Sequence, residues 1–206
     1  MNETTVDDQT GDAAEELSDE SAAQALDPEE QARRAYALAQ VRQYPDTALR
    51  MKAREVEEFD DALAGLAERM TSVMQDARGV GLAAPQVGVL QRMFVYQAAA
   101  EAAPTVIVNP TVVDASEEKE LAQEGCLSLG RASVNVDVER SVEIKVEGKT
   151  PAGESIVVEA TELEARVIQH ELDHLDGILI IDHASPEQRR DAMAELRPKP
   201  GVRGGA

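Results

Sequence analysis

The sequence predicts an α+β fold: antiparallel β-sheets packed around a central metal-binding helix, with further helices in the N-terminal part. Three observations carry this reading. His170-Glu171-Leu172-Asp173-His174 places two histidines four residues apart, which stacks them on one helical face, one turn above the other. Ahead of that helix, Val134, Val136 and Val138, and then Val142, Ile144 and Val146, alternate with polar residues at the period of a strand. Further upstream, Phe59, Leu63, Leu66, Met70 and Val73 step by four and three, the period of an amphipathic helix.

In chain order, residues 1–26 carry Asp and Glu but no Lys or Arg. Such a segment buries too little apolar area to offset its ordering entropy, so a disordered acidic N-terminal tail is expected, as a solvating extension or a docking segment for a basic partner. The folded domain should span 27–197. Asp27-Pro28-Glu29-Glu30 is a helix start, with Asp as the cap and Pro in the first turn, and its helix should reach about residue 40. Tyr44-Pro45-Asp46 is a turn, and the Phe59 helix ends near Asp76. Gly79 to Gly88 is a small-residue loop without the Lys-Ser/Thr ending of a phosphate-binding loop; its glycines mark a tight bend or a close approach.

Met93 to Tyr96 and Thr105 to Val108 read as strands, the second stopped by Asn109-Pro110. With the alternating stretches and Ile156 to Val158, they form a meander that runs into the metal helix. Thr161 and Glu164 spell a capping box, and Gly177 is a C-terminal stop, which bounds that helix at about 162–176. Leu163, Val167, His170 and His174 fall on one side, and Ile168, Leu172 and Leu175 on another. A narrow polar strip remains at Arg166, Gln169, Asp173 and Asp176, so the helix should pass through the core. Ile178 to Ile181 reads as a strand and 186–196 as a helix, with a flexible C-terminal tail over 198–206.

Composition excludes several classes. Twenty basic against 40 acidic residues give a formal charge of −20, which argues against affinity for nucleic acid or anionic membrane. Trp is absent and aromatics are scarce, so a base-stacking surface is not expected. No apolar run is long enough to span a membrane, the N-terminus lacks the pattern of a signal peptide, and one cysteine excludes an internal disulfide. A cytoplasmic location is the expectation.

Two of the three histidines sit at ligand spacing, and Glu171 between them stands where a carboxylate can take a proton from water beside the ion. A catalytic ion needs a third ligand. Cys126, in Gln123-Glu124-Gly125-Cys126-Leu127-Ser128-Leu129, offers a thiolate for Zn²⁺ or Fe²⁺, although a lone cysteine is as often a small buried hydrophobe. A downstream acid such as Glu195 would instead fit a zinc endopeptidase.

Three segments, Gly79-x-Gly81-x-Ala83-Ala84-x-Gln86, Glu124-Gly125-Cys126-Leu127-Ser128 and Gln169-His170-Glu171-x-x-His174, resemble in order and spacing the three motifs of the peptide deformylases. Tyr44-Pro45-Asp46-x-x-Leu49-Arg50 resembles the start of that domain, and the likeness covers about 38–196. The resemblance implies a hydrolase that removes the formyl group from the N-terminal formyl-methionine of newly made polypeptides. It implies Cys126, His170 and His174 as ligands of one Fe²⁺, with Zn²⁺, Ni²⁺ or Co²⁺ able to replace it. Glu171 would be the general base, and Gln86 with the Leu127 N–H would stabilise the oxyanion. Val80, Leu129 and Val167 would hold the methionine side chain, and the backbone at Gly81 the peptide. The implied partners are N-formylmethionyl nascent chains, met through ribosome association. Arg140 is either the partner of Glu124, as the resemblance implies, or a solvated charge. After Ser128 the sequence departs from the usual Pro-Gly turn of the family, with Leu129-Gly130-Arg131 in its place.

Overall fold

A computed structural model describes residues 27–99, 101–131 and 133–197. The acidic stretch 1–26 and the end from 198 lie outside these residues.

Helix α1 (Pro28–Gln40) begins as its sequence dictates: the Asp27 carboxylate accepts from the N–H groups of Glu29 and Glu30 at 2.8 and 2.9 Å. Helix α2 (Asp61–Asp76) is capped in the same way by Asp60, which accepts from Leu63 N–H at 3.0 Å. Phe59 therefore precedes the helix and packs against its core from outside. Between the two helices, Tyr44-Pro45 is a cis peptide and Thr47–Arg50 a short 3₁₀ turn.

Seven strands follow: β1 (Gly81–Ala83), β2 (Met93–Tyr96), β3 (Thr105–Ala115), β4 (Lys119–Gly125), β5 (Asn135–Ser141), β6 (Glu143–Lys149) and β7 (Ser155–Thr161). All pair antiparallel, in a five-stranded sheet of order β1-β2-β3-β6-β7 and a two-stranded ribbon β4-β5. Helix α3 (Glu162–Leu175) is wedged between them, packing on β1, β2, β6 and β7 of the sheet and on β5 of the ribbon. Helices α4 (Ile180–His183) and α5 (Pro186–Glu195) pack against β5 of the ribbon.

The apolar residues segregate into three cores. Met70, Met74, Leu82 and Met93 fill one between α2 and the sheet. Phe94, Ile107, Val146, Ile168 and Leu175 fill the space between sheet and α3. Leu49, Leu129, Val136, Leu179 and Ile180 lie under the ribbon. Among the described residues no helix is long and apolar enough to cross a membrane.

Several expectations are corrected. The strand expected to stop at Asn109-Pro110 continues to Ala115, because Asn109 takes a left-handed conformation (φ 51°) and the register shifts between Val108 and Thr111. Its side chain holds the neighbouring loop, with Val56 N–H donating to Oδ1 at 2.8 Å and Nδ2 donating to Val56 O at 2.9 Å. Ile178 to Ile181 is not a strand: Asp182 Oδ2 accepts from Leu179 N–H at 2.9 Å and starts α4, burying Ile180 and Ile181. A short apolar run has no period to separate the two readings. β4, too polar to show an alternating pattern, was not anticipated and is supplied by pairing with β5. Thr161 caps nothing with its side chain. It ends β7 opposite Glu143, Glu162 N–H donates to Val142 O at 2.8 Å, and Glu164 instead accepts from Tyr96 O–H at 2.8 Å. The sheet thus hands the chain directly to α3.

Asn109→Ala should cost about 2–4 kcal/mol, from two lost hydrogen bonds and a left-handed alanine. Asn109→Gly, which tolerates the backbone, should cost about 1–2 kcal/mol. Urea denaturation of both variants checks this; equal losses would show that the backbone conformation contributes nothing.

Candidate metal centre

Cys126 leaves β4 at the mouth of the ribbon. Gly125 before it lies close to the Asn135 side chain, whose Oδ1 would stand 2.8 Å from a Cβ at that position. His170 and His174 come from α3, whose turn sets their ring centroids 5.0 Å apart. The thiol is 3.2 Å from His174 Nε2, and one ligand atom from each of the three residues lies within 4.8 Å of the others. A tetrahedral site with bonds of about 2.0–2.3 Å has ligand edges of roughly 3.5 Å, so this donor set fits an ion such as zinc or ferrous iron. Burial holds His174 well below the usual imidazole range, the neutral form that a ligand requires. Glu195, at the end of α5, is not part of the group.

Behind the ligands stands Glu124. Its Oε1 accepts from Arg140 Nε and Arg166 Nη1, both at 3.0 Å. Its Oε2 accepts from Arg140 Nη2 at 3.0 Å and lies 3.0 Å from His170 Nδ1. A carboxylate has about four acceptor positions, and all are taken. Burial would raise its pKa, but the hydrogen bonds from His170 and Arg140 outweigh it and hold Glu124 at about 2. With Nδ1 engaged, His170 would offer Nε2 to a bound ion. Arg140 also reaches Asp173 Oδ2 at 2.6 Å, and His183 Nε2 is 2.8 Å from that same oxygen.

The Arg140–Glu124 pair was one of the two readings the sequence left open; the parts of Arg166 and Asp173 were not anticipated. Arg166 belonged to the narrow polar strip of a helix expected to cross the core, with no partner assigned; it is buried under the ribbon and donates to the carbonyls of Val138 and Glu120, both at 2.8 Å. A buried-helix reading with an acid at 124 already in need of cations was the signal that could have found it.

Glu171, beside the ligands, is 3 % exposed, and its Oε2 has no hydrogen-bond partner among the described residues. Burial pushes its pKa up to about 7. It faces Gly81, where a Cβ would stand 2.8 Å from Glu171 Cδ. Gln86 is equally buried. Its Oε1 accepts from Ala83 N–H at 2.7 Å, which turns Nε2 toward Ser128 Oγ at 3.1 Å and Cys126 Sγ at 3.8 Å. The Leu127 carbonyl takes Gln43 Nε2 at 2.9 Å, while its N–H has no acceptor among the described residues.

These groups border a cleft of about 260 Å³. Val80, Gly81, Leu127 and Val167 line it, as does Leu163, which the sequence placed on the same side of the helix as the two histidines. Leu129 does not: it is fully buried in the core under the ribbon.

A three-ligand metal position opening on an apolar cleft, with a partnerless buried carboxylate at its side, defines a metal-dependent hydrolase of the His-Glu-x-x-His type. Comparison with known proteins narrows the class. The polypeptide deformylase family profile matches residues 38–190. The peptide deformylase of Thermotoga neapolitana is 45% identical over 152 residues, covering 74% of this chain and 90% of that protein. That of Acidothermus cellulolyticus is 42% identical over 161 residues, covering 78% and 87%. Among solved structures, the Legionella pneumophila peptide deformylase superposes with a TM-score of 0.72 at 37% identity, covering 76% of this chain and 91% of that one. The chain belongs to the polypeptide deformylase family, and it removes the N-terminal formyl group from newly synthesised polypeptides.

Glu124→Gln puts an amide among four donors. It should lower metal affinity roughly 10–100-fold and stability by about 3–5 kcal/mol, read by chelator competition and urea denaturation. Unchanged affinity would disconnect Glu124 from the ligand it touches.

Proposed function

We propose that deformylation runs on Cys126, His170 and His174 as ligands, Glu171 as the proton carrier, and Gln86 with the Leu127 N–H as the oxyanion donors. The observation that supports this reading most is the buried Glu171 carboxylate with a partnerless Oε2 next to the three ligand atoms. A bound ion would polarise the formyl carbonyl and make the attacking water more acidic. Glu171 takes the proton from that water as it adds to the formyl carbon. The carbonyl oxygen gains charge and accepts hydrogen bonds from Gln86 Nε2 and the Leu127 N–H, whose directions are set by Ala83 and Gln43. As the C–N bond breaks, Glu171 delivers the proton to the amine, leaving formate and a free N-terminus.

The methionine side chain fits the apolar wall of Val80, Leu163 and Val167. Leu129 acts only from behind, through packing. The peptide backbone adds to the free side of β1, the edge strand of the sheet. For the ion we assign Fe²⁺, which a thiolate with two imidazoles accepts as readily as Zn²⁺, Ni²⁺ or Co²⁺. The substrates arise at ribosomes, which places the enzyme in the cytoplasm. There it meets the emerging chain itself, since a charge of −20 opposes contact with ribosomal RNA.

Formate release from formyl-Met-Ala-Ser, measured anaerobically with bound metal assayed in parallel, tests the assignment. Glu171→Ala should keep the ion and lose about 10²–10⁴-fold in kcat, whereas Cys126→Ala should lose the ion. Near-normal turnover by Glu171→Ala would remove it from the mechanism. Gly81→Ala, which displaces the Glu171 carboxylate, should keep the ion and lose on the order of 10²-fold in kcat.

A further inference from the structure

Charged side chains that line the cleft differ sharply in what they can offer a substrate. Glu124 and Arg166 are buried and paired with one another, and Glu171 and His170 belong to the reacting centre. Arg78 is different. Its side chain is 56% exposed, and its one ion pair among the described residues, to Glu30 Oε2 at 3.4 Å, is a surface contact. Such pairs contribute about 0–1 kcal/mol and yield readily to a competing anion.

The position of Arg78 is fixed by the backbone. It follows the C-terminus of α2 in a left-handed conformation (φ 58°), with its N–H donating to Gln75 O at 2.9 Å. From there Gly79 and Val80 lead to Gly81 above Glu171. Exposure falls along this path, from Arg78 and Val80 at the surface to buried Gly81. The cleft therefore opens toward Arg78 and closes at Glu171. Three residues of extended chain cover roughly 10 Å. A peptide with its formyl group at Glu171, lying along this edge, brings its second and third residues within reach of the guanidinium.

We propose that Arg78 is a specificity-determining residue: it favours formylated chains with Asp or Glu at the second or third position and disfavours Lys or Arg there. This rests on the proposed seating of the peptide along β1. Among the described residues lining the cleft, no other exposed cationic side chain shares this task. An acidic side chain displaces Glu30 from Arg78, while a basic one meets the guanidinium as a like charge.

The test is kcat/KM for C-terminally amidated formyl-Met-Ala-Asp-Ser, formyl-Met-Ala-Asn-Ser and formyl-Met-Ala-Lys-Ser, with a second series carrying the charge at position two. In at least one series the wild-type Asp-to-Lys ratio should be about 3–10 at low salt and shrink toward one in 0.5 M NaCl, on the order of a tenth of the low-salt screening range. Asn at position 78 suits the left-handed backbone, so Arg78→Asn should bring the ratio to about one, Arg78→Lys should retain part of it, and Arg78→Glu should invert it. The ratio is internal to each variant and does not depend on how much active protein it yields. A wild-type ratio of one in both series, or a preference that survives Arg78→Asn, overturns the proposal. Failure of the wild type to release formate from the Asn peptide would instead overturn the mechanism on which it rests.

Discussion

Everything at the centre of this fold leans on one buried anion. The Glu124 carboxylate comes from the ribbon, and its donors come from the ribbon and from the central helix: Arg140 on β5, Arg166 and His170 on α3. Ion pairs out of water do not in general add stability, because desolvation offsets attraction. Here the offset is limited by geometry, since all four acceptor positions are filled, two of them by the fork of a single guanidinium. The same contact that closes ribbon onto helix also orients His170, one of the three side chains placed to hold an ion. Structure and chemistry are joined at that oxygen pair.

The antiparallel sheet does the complementary task from the other side. It presses Phe94, Ile107 and Val146 against Ile168 and Leu175, which fixes the rotation of α3 about its axis. With that rotation set, His170 and His174 face Cys126, and Glu171 faces β1. A side chain at position 81 would push the Glu171 carboxylate aside, since a Cβ there would stand 2.8 Å from its Cδ. The left-handed Asn109 serves the sheet in another way, tying the loop at Val56 to β3 where the ladder shifts register.

Periodic features were legible in the sequence: the helix capped by Asp27, the amphipathic helix ending at Asp76, the alternating strands, and the helix bearing both histidines. Spacing marked His170 and His174 as candidate ligands and Glu171 as a candidate base. Cys126 has no period to mark it; as the lone cysteine it stood evenly between ligand and buried hydrophobe until its motif likeness was added. What escaped was decided by partners distant in sequence. β4 has no apolar alternation and exists through pairing with β5. Ile180 and Ile181 became helical because Asp182 captured the Leu179 N–H. Arg166 had no partner legible until the ribbon was laid over it, and Leu129, expected in the methionine pocket, went to the core. A single sequence lists candidates for such contacts without ranking them.

β1 is three residues long and ends the sheet. So short a border gives stray chains little to add to and guards against self-association. It also imposes a schedule. If substrate peptides pair with β1 as proposed, a terminus already tucked into a hairpin or helix has spent its hydrogen-bonding groups and cannot dock, and the enzyme then competes in time with the folding of its own clients. Proteins whose first residues fold quickly into the interior leave it the narrowest interval in which to act.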